Sequence, residues 1–525
     1  MAFLQTKIAR LAIALLFIFA ALIFTYLKYN NLSTGLTFLL VAVLFGAYMA
    51  INIGANDVAN NVGPAVGSGA LTLFSALIIA AIFEAMGAII AGGEVTSTIK
   101  SGIIEPTLIP STDIFLRLMM AALFGGAIWL NLATMIGAPV STTHSIVGGV
   151  LGAGIAAGGW HVAHWESLGR IVASWVISPM LGGIIAASLL LLIKRLIVYR
   201  EDVLKAAKFW VPILLAFMVW AFSTYLILKG LKHIIEFSFA HAALISLGIA
   251  FIAYWLIIPL INRQITQLAK KNNEYGRRLS RKKVSSLFTL PLIAAAALLS
   301  FAHGSNDVAN AVGPLAAIVS ILEGASVTSK AAIPLWVMML GAFGLSVGLV
   351  LFGPKLIKTV GSEITDLNKT RAFCVAMAAA LTVIIASQLG LPVSSTHIAV
   401  GGVFGVGFLR EYLIKDFEET TAKIKLQYKN TEITAEDEKE LKKSLRKLRD
   451  ASIEGRKKIL KKMNNKRKQS ENSLFTKKEI KKLAKANKRQ LVQRKMLLKI
   501  AAAWVVTVPA SALLSATLFF IIRLF

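Results

Sequence analysis

Apolar runs about 20 residues long, nearly free of charge, follow one another from end to end of this 525-residue chain. A helix of that length rises about 1.5 Å per residue and matches the ~30 Å hydrocarbon core of a bilayer. The runs lie at about 11–28, 35–54, 73–92, 114–136, 140–158, 169–193, 210–229, 240–261, 287–303, 332–352, 372–389, 394–409 and 500–522. Only 16% of residues are charged and 56% are hydrophobic, against about 25% charged in an ordinary soluble domain. The expected fold is therefore all-α, a polytopic membrane protein of about 12–13 transmembrane helices. A single cysteine, Cys374, excludes a disulfide framework, a thiolate metal site and a CxxC redox pair. The run 11–28 follows Lys7 and Arg10, as in a signal peptide. Phe24-Thr25-Tyr26-Leu27-Lys28 offers no small-residue cleavage site, which favours a retained anchor.

Lys and Arg in short loops set orientation. The loop 194–208 holds five basic residues and 262–283 holds eight, among them Arg277, Arg278, Arg281, Lys282 and Lys283. Both are expected on the cytoplasmic side of a bacterial inner membrane. Threading from them places the N-terminus inside, 354–371 and 410–499 inside, and 93–113 and the C-terminus outside. The weakest spans are the glycine-rich 140–158 and the short 394–409; each reads as a half-helix or re-entrant element, and parity requires that both behave alike. The net charge of +29 resembles a nucleic-acid signal until it is located: 410–499 supplies +16, and the two loops +3 and +7. The segment 410–499 reads as a solvated extension with amphipathic helices broken near Gly455 and Asn472, or as a surface drawn to anionic headgroups. It shows no aromatic interleaving and no nucleic-acid module, so no nucleic-acid partner is expected.

The chain repeats itself. Gly54-Ala55-Asn56-Asp57-Val58-Ala59-Asn60-Asn61-Val62-Gly63-Pro64 returns as Gly304-Ser305-Asn306-Asp307-Val308-Ala309-Asn310-Ala311-Val312-Gly313-Pro314, nine of eleven positions identical. Pro139-Val140-Ser141-Thr142-Thr143-His144 returns as Pro392-Val393-Ser394-Ser395-Thr396-His397, and Trp175…Pro179 is echoed by Trp504…Pro509. Asp57 precedes His144 by 87 residues and Asp307 precedes His397 by 90. The expected organisation is an extra N-terminal helix (1–34), a first repeat (35–193), linking helices and basic loops (194–286), a second repeat (287–409), a basic insertion (410–499) and a last helix completing the second repeat (500–525). In the orientation above the repeats are antiparallel, the layout of secondary transporters that bind substrate between inverted repeats.

An Asp at membrane depth costs about 2.5 kcal/mol or more even on lenient scales, so it persists where it faces a cavity, a cation or a proton. Asp57 and Asp307 sit among Asn56, Asn60, Asn306 and Asn310, near Gly and Pro where a helix is expected to unwind. Carboxylate, amide and freed carbonyl oxygens suit a hard cation such as Na⁺; a lone titrating Asp suits H⁺. Simple helix capping is the plainer alternative, disfavoured by the duplication. Pro-Val-Ser-Thr-Thr and Pro-Val-Ser-Ser-Thr read as helix starts, whose free N–H groups and hydroxyls (Ser141, Thr142, Thr143, Ser394, Ser395, Thr396) can hold a small oxyanion without Lys or Arg. Ordinary N-capping is the alternative for each hydroxyl taken singly. His144 and His397 either contact the oxyanion, sense pH or are structural. Glu84, inside the apolar run 78–90, reads as part of the cation or proton path or as one half of a buried pair. Glu94 and Thr96-Ser97-Thr98 line a vestibule or a solvated loop. No nucleotide-binding loop of the form GxxxxGK[ST] exists, so the drive is expected from an ion gradient, with no cofactor and no zinc site.

The two duplicated blocks resemble those of the inorganic phosphate transporter (PiT) family over about 35–193, 287–409 and the final helix. The resemblance implies a symporter of inorganic phosphate with Na⁺ or H⁺, a homodimer, and ion and phosphate sites lined by Asp57, Asp307, Ser141, Thr142, Thr143, Ser394, Ser395 and Thr396, with Glu84 matching a family glutamate implicated in transport. Three features depart from the pattern: Ala376 stands where sodium-coupled eukaryotic relatives carry a second glutamate, the span 11–28 is additional, and the cytoplasmic insertion precedes the last helix. The first motif nevertheless resembles sodium-coupled members, which favours Na⁺. Sulfate or a metal–phosphate complex on the same scaffold, a channel, and an intramembrane hydrolase are the competing readings.

Overall fold

A computed structural model describes residues 6–32, 35–138, 140–232, 235–270, 285–324, 333–363, 367–413, 421, 424, 435–450, 458–465, 475–487 and 494–524. Pro139, the basic cluster Arg277–Lys283, and the expected helix breaks at Gly455 and Asn472 lie outside them. The chain divides into two compact units, one of residues 1–406 with 494–525 and one of residues 407–493.

The larger unit is helical: α1 (Lys7–Tyr29), α2 (Leu36–Gly67), α3 (Leu73–Ala91), α4 (Gly93–Ser101), α5 (Thr112–Ile136), α6 (Thr142–Gly158), α7 (Trp165–Ile193), α8 (Val203–Gly230), α9 (Phe239–Lys270), α10 (Thr289–Asp307), α11 (Ala309–Leu322), α12 (Leu335–Glu363), α13 (Lys369–Gln388), α14 (Ser395–Leu413) and α17 (Arg494–Ile522). Eleven of the described helices are long and apolar enough to cross a membrane, against the thirteen runs read from sequence. The two that fall short are α6 and α14, the pair read from sequence as the weakest spans. A second correction concerns the Asn-Asp motifs, which do not unwind the helix. Helix α2 continues for 32 residues through Asp57 and past Pro64. Between α10 and α11 only Val308 interrupts the assignment, and it keeps helical angles (φ −57°, ψ −32°). The reason is that the Asn and Asp side chains bond to neighbouring helices and leave their own backbone ladder intact.

Local chemistry explains the ends. Thr72, Ser111, Asp202 and Asn368 each accept a first-turn N–H at the starts of α3, α5, α8 and α13. The turn before each Pro-Val-Ser block is the same in both repeats. Gly137 (φ 74°) and Gly390 (φ 66°) adopt the left-handed conformation, and the following amides, of Ala138 and Leu391, bond back to Ala133 and Ala386 at 2.9 Å. The Ser then caps the next helix, so α5–α6 and α13–α14 each reverse within five or six residues. A bridge between Ile104 and Ala163 brings the far end of α6 back beside the approach to α5.

The repeats interlock. Helix α12 of the second half packs along α2 of the first, and α3 of the first half along α10 of the second. A Cβ at Gly54 would overlap the Leu345 carbonyl and one at Gly348 the Ile51 carbonyl; at the matching places, a Cβ at Gly304 would overlap Glu84 and one at Gly87 would overlap Phe301. Likewise α17 packs on α5 and α6, whereas α7 packs on α13. The glycine stripe of α6 serves this contact, Gly148 and Gly152 lying against Val508 and Ala512, and Gly401 and Gly405 of α14 lie against Pro179 and Gly183 of α7. Helices α1 and α9 leave large side chains such as Phe19, Leu247, Phe251 and Trp255 exposed, as a lipid-facing rim does. Because the Gly401 contact is backbone to backbone, Gly401→Ala is expected to cost about 1–3 kcal/mol by overpacking. Gly169→Ala, where nothing lies within 4 Å, should be neutral or stabilising. Thermal unfolding followed by a thiol-reactive fluorophore at buried Cys374, the single cysteine, distinguishes them; equal melting temperatures would refute the packing argument.

Candidate functional site

The polar residues of both motifs meet in the interior of the larger unit. Asn56, Asp57 and Asn60 come from α2, His303, Asn306 and Asp307 from α10, Asn310 from α11 and Glu84 from α3; all are buried. Thr142 and Thr143 enter at the start of α6, and Ser395 and Thr396 at the start of α14, equally buried.

The hydrogen bonds follow the repeat. Thr142 Oγ1 donates to Asp57 Oδ2 at 2.9 Å, and the equivalent Ser395 Oγ donates to Asp307 Oδ2 at 2.9 Å. Across the repeats, Asn60 Nδ2 donates to Thr396 Oγ1 at 2.7 Å, matched by Asn310 Nδ2 to Thr143 Oγ1 at 3.3 Å. Asn306 Nδ2 donates to Ser387 Oγ at 3.0 Å and to the Leu391 carbonyl at 3.1 Å. With its amide oxygen accepting from Thr134 at 2.9 Å, Asn56 makes the matching tie, donating to the Val140 carbonyl at 3.2 Å. Each motif helix thus holds the tip of its own hairpin and reaches across to the other. The symmetry fails at one hydroxyl: Thr396 Oγ1 donates to Asp57 Oδ1 at 3.0 Å, whereas Thr143 Oγ1 donates to the Val393 carbonyl at 2.9 Å.

One residue at the centre escaped the sequence reading. His303 lies one turn before Asp307 on α10, and its Nε2 stands 2.7 Å from Asp307 Oδ2 and 3.6 Å from Asp57 Oδ2. Its Nδ1 is paired with Glu84 Oε1. The signal available was a histidine four residues ahead of an intramembrane Asp, a spacing that places both on one helix face. Among the described residues, the ion pairs of these three carboxylates are all with His303. The pair has no polar counterpart in the other half: the glycine contacts that align the repeats set Ile53 opposite His303 and Leu345 opposite Glu84. Ala376 adds no carboxylate, being buried within α13.

Three carboxylates and one imidazole in a low-dielectric interior are not stable as three anions and one cation, so the cluster calls for protons or a metal cation. Asp57, His303 and Asp307 each offer a ligand atom within 4.8 Å of the others. Asp307 Oδ1 and Asn310 Oδ1 are buried oxygen acceptors without a hydrogen-bond donor. Asp57, Thr142, Ser395 and Thr396 are hydrogen-bonded beside them, and carboxylate, amide and hydroxyl oxygens are hard donors. The first-turn amides of α6 and α14, which intrahelical bonds do not use, add positive dipole ends beside it.

Other expected site residues lie elsewhere in this network. Ser141 and Ser394 act as N-caps, accepting from the amides of His144 and His397 at 3.1 and 3.3 Å. The imidazoles of His144 and His397 meet edge to face at 4.5 Å and stack on Trp175 and Trp504 at 3.8 and 3.6 Å. Their ring nitrogens make no hydrogen bond, and they sit in an aromatic column that joins the two hairpins. Glu94 and Thr98 lie in helix α4, half-buried, and not in a loop. Glu94 Oε1 pairs with Lys232 at 2.6 Å and Lys229 at 3.3 Å, and Thr98 Oγ1 donates to the Gly390 carbonyl at 2.7 Å. The Lys232 ammonium holds the Glu94 carboxyl below its ordinary range. Helix α4 therefore braces the turn that leads into the second Pro-Val-Ser block.

The profile of the phosphate transporter family matches residues 53–515. A Helicobacter pylori (strain J99) protein named "Putative phosphate permease" is 49% identical over 523 residues, covering 98% of this chain and 95% of its own length. A Haemophilus influenzae protein of the same name is 41% identical over 373 residues, 70% of this chain and 87% of its own length. A solved structure titled "The sodium-dependent phosphate transporter" superposes with a TM-score of 0.72 at 29% identity, covering 93% of this chain and all of that one.

Leaving a buried donor without an acceptor costs about 1–3 kcal/mol, and removal of the Glu84 carboxylate would leave His303 Nδ1 in that state. Glu84→Ala should therefore lower the melting temperature well below wild type. Glu84→Gln, which retains an acceptor for His303 Nδ1–H, should fall in between. The thiol-fluorophore assay at Cys374 measures both, and a Glu84→Ala melting point equal to wild type would remove the pair from the account of this site.

Proposed function

This chain belongs to the phosphate transporter family, and from that premise we propose that it imports inorganic phosphate by cation symport through alternating access, with Na⁺ the favoured coupling ion and H⁺ the other candidate. The observation that carries the proposal is the buried cluster of Asp57, Asp307, Glu84 and His303 between the starts of α6 and α14. Phosphate is proposed to bind the first-turn amides and hydroxyls of Ser141, Thr142, Thr143, Ser394, Ser395 and Thr396, beside Asp57 and Asp307. The cation is proposed to bind Asp57 and Asp307 with Asn56, Asn60, Asn306 and Asn310, and Glu84 to act through His303.

The coupling has a Coulombic origin. A carboxylate and a phosphate charge 4 Å apart repel by about 4 kcal/mol at an effective dielectric of about 20. A cation held between them cancels that cost, so either ligand raises the affinity of the other. His303 can carry the charge as a proton, which is the form the H⁺ alternative takes. The donor-less oxygens Asp307 Oδ1 and Asn310 Oδ1 favour a metal cation over a proton. The duplicated, interlocked halves support alternating access, in which hairpins α5–α6 and α13–α14 open the site by turns. The proposal extends to a homodimer with the N-terminus and basic loops in the cytoplasm and the C-terminus outside.

Purified protein in liposomes, given a Na⁺ or an H⁺ gradient one at a time, should accumulate labelled phosphate uphill with Na⁺ alone. Uptake that no ion gradient drives uphill would indicate a channel, and strong competition by excess sulfate would reassign the substrate. Asp57→Asn and Asp307→Asn should each reduce coupled uptake to background with the protein still in the membrane; wild-type uptake in either would remove the site assignment.

A further inference from the structure

None of the site residues named above lies in the smaller unit, residues 407–493. It has a core of its own in which Leu441, Leu445 and Leu448 of α15 (Ala435–Asp450) pack with Leu460, Phe475, and Ile480 and Leu483 of α16 (Lys477–Asn487). A buried leucine stripe turns the opposite helix face outward, and that face is cationic. Lys443, Arg446 and Lys447 are exposed at the i, i+3, i+4 spacing on α15, and Lys458, Lys461 and Lys462 repeat the spacing on the helical stretch 458–465. Two further exposed lysines stand on α16. From 441 to 493 the sequence holds 20 basic residues against four acidic ones. One of the four, Glu479, is engaged at the start of α16, accepting from the Thr476 amide and hydroxyl at 2.8 Å.

We propose that this unit docks on the anionic headgroups of the bilayer from which its chain emerges. Like charges at i, i+4, as at Lys443 and Lys447, repel weakly, a cost that a facing anionic surface relieves. The connectivity supplies one. The chain passes into the unit within the last turns of α14 and leaves it into α17, whose residues Ala501–Ile522 are long and apolar enough to span. Tied at both ends, the cations are held at high effective concentration near the surface, so contacts that are weak singly suffice together. Three helices bearing outward charges suit an extended surface. A single-stranded nucleic acid would call for stacking platforms, and no aromatic side chain is exposed among the described residues of 435–487.

The test uses the full-length protein in nanodiscs of phosphatidylcholine alone or mixed with phosphatidylglycerol, following chymotryptic cleavage within 407–493. Acidic lipid should slow cleavage roughly tenfold, and about 1 M salt, which shortens the screening length to about 3 Å, should abolish the protection. The variant Lys443→Gln, Lys447→Gln, Lys461→Gln, Lys462→Gln leaves chymotryptic sites unchanged and should be cut alike in both discs. Equal cleavage of wild type in the two discs overturns the proposal, as does protection that survives high salt, or stronger protection by soluble RNA than by acidic lipid. Should the variant be cut faster even in neutral discs, the salt response of the wild type decides by itself.

Discussion

A carboxylate at membrane depth must be neutralised where it stands, and this protein places three of them around one imidazole. Much of the larger unit can be read as the means of doing so. His303 pairs with Glu84 through one nitrogen and faces Asp307 and Asp57 through the other. Hydroxyls from two helix starts donate to the aspartates, and the dipoles of those helices converge on the same space. Even so arranged, the cluster has more acids than bases. A group of charges that is incomplete without a cation is the physical starting point for coupling an ion to an anionic substrate.

The duplication accounts for the scaffold, and its departures account for the polarity of the site. Each motif helix ties its own hairpin tip through an Asn and reaches the other hairpin through a second Asn. Glycines that admit backbone-to-backbone contact let α3 and α12 cross into the opposite half. At the centre the two crossings differ, because His303 and Glu84 face each other where the matching crossing of α2 and α12 sets Ile53 and Leu345. An exactly doubled site would hold either two such pairs or none; one pair leaves a single buried base among three acids.

How much of this was legible beforehand depended on range. The apolar runs announced the spans, and the glycine-rich weakness of 140–158 and 394–409 correctly set α6 and α14 apart from the rest. The Pro-Val-Ser blocks were legible as helix starts, whereas the left-handed Gly137 and Gly390 that turn the chain into them emerged only with the structure. The expected unwinding at Asn-Asp did not occur. Local propensity favours a break there, but partners on other helices satisfy the side chains and the ladder survives. His303 went unread because a lone histidine in an apolar helix carries no signal until its neighbours are known. Ser141 and Ser394 also cap their helices, each oxygen accepting from the amide three residues on, a role that does not use the hydroxyl as a donor.

By itself, the sequence determined that the chain is a duplicated, polytopic helical protein, which residues lie at membrane depth, and where its basic charge resides. Those properties are local or periodic, set by transfer free energy along the chain and by identity between its halves. Only the tertiary structure decided which polar groups meet. Glu84 and His303 are 219 positions apart and Thr396 and Asp57 are 339 apart; no periodicity links them, and it is the crossing of α3 and α12 between the halves that brings such groups within hydrogen-bonding distance.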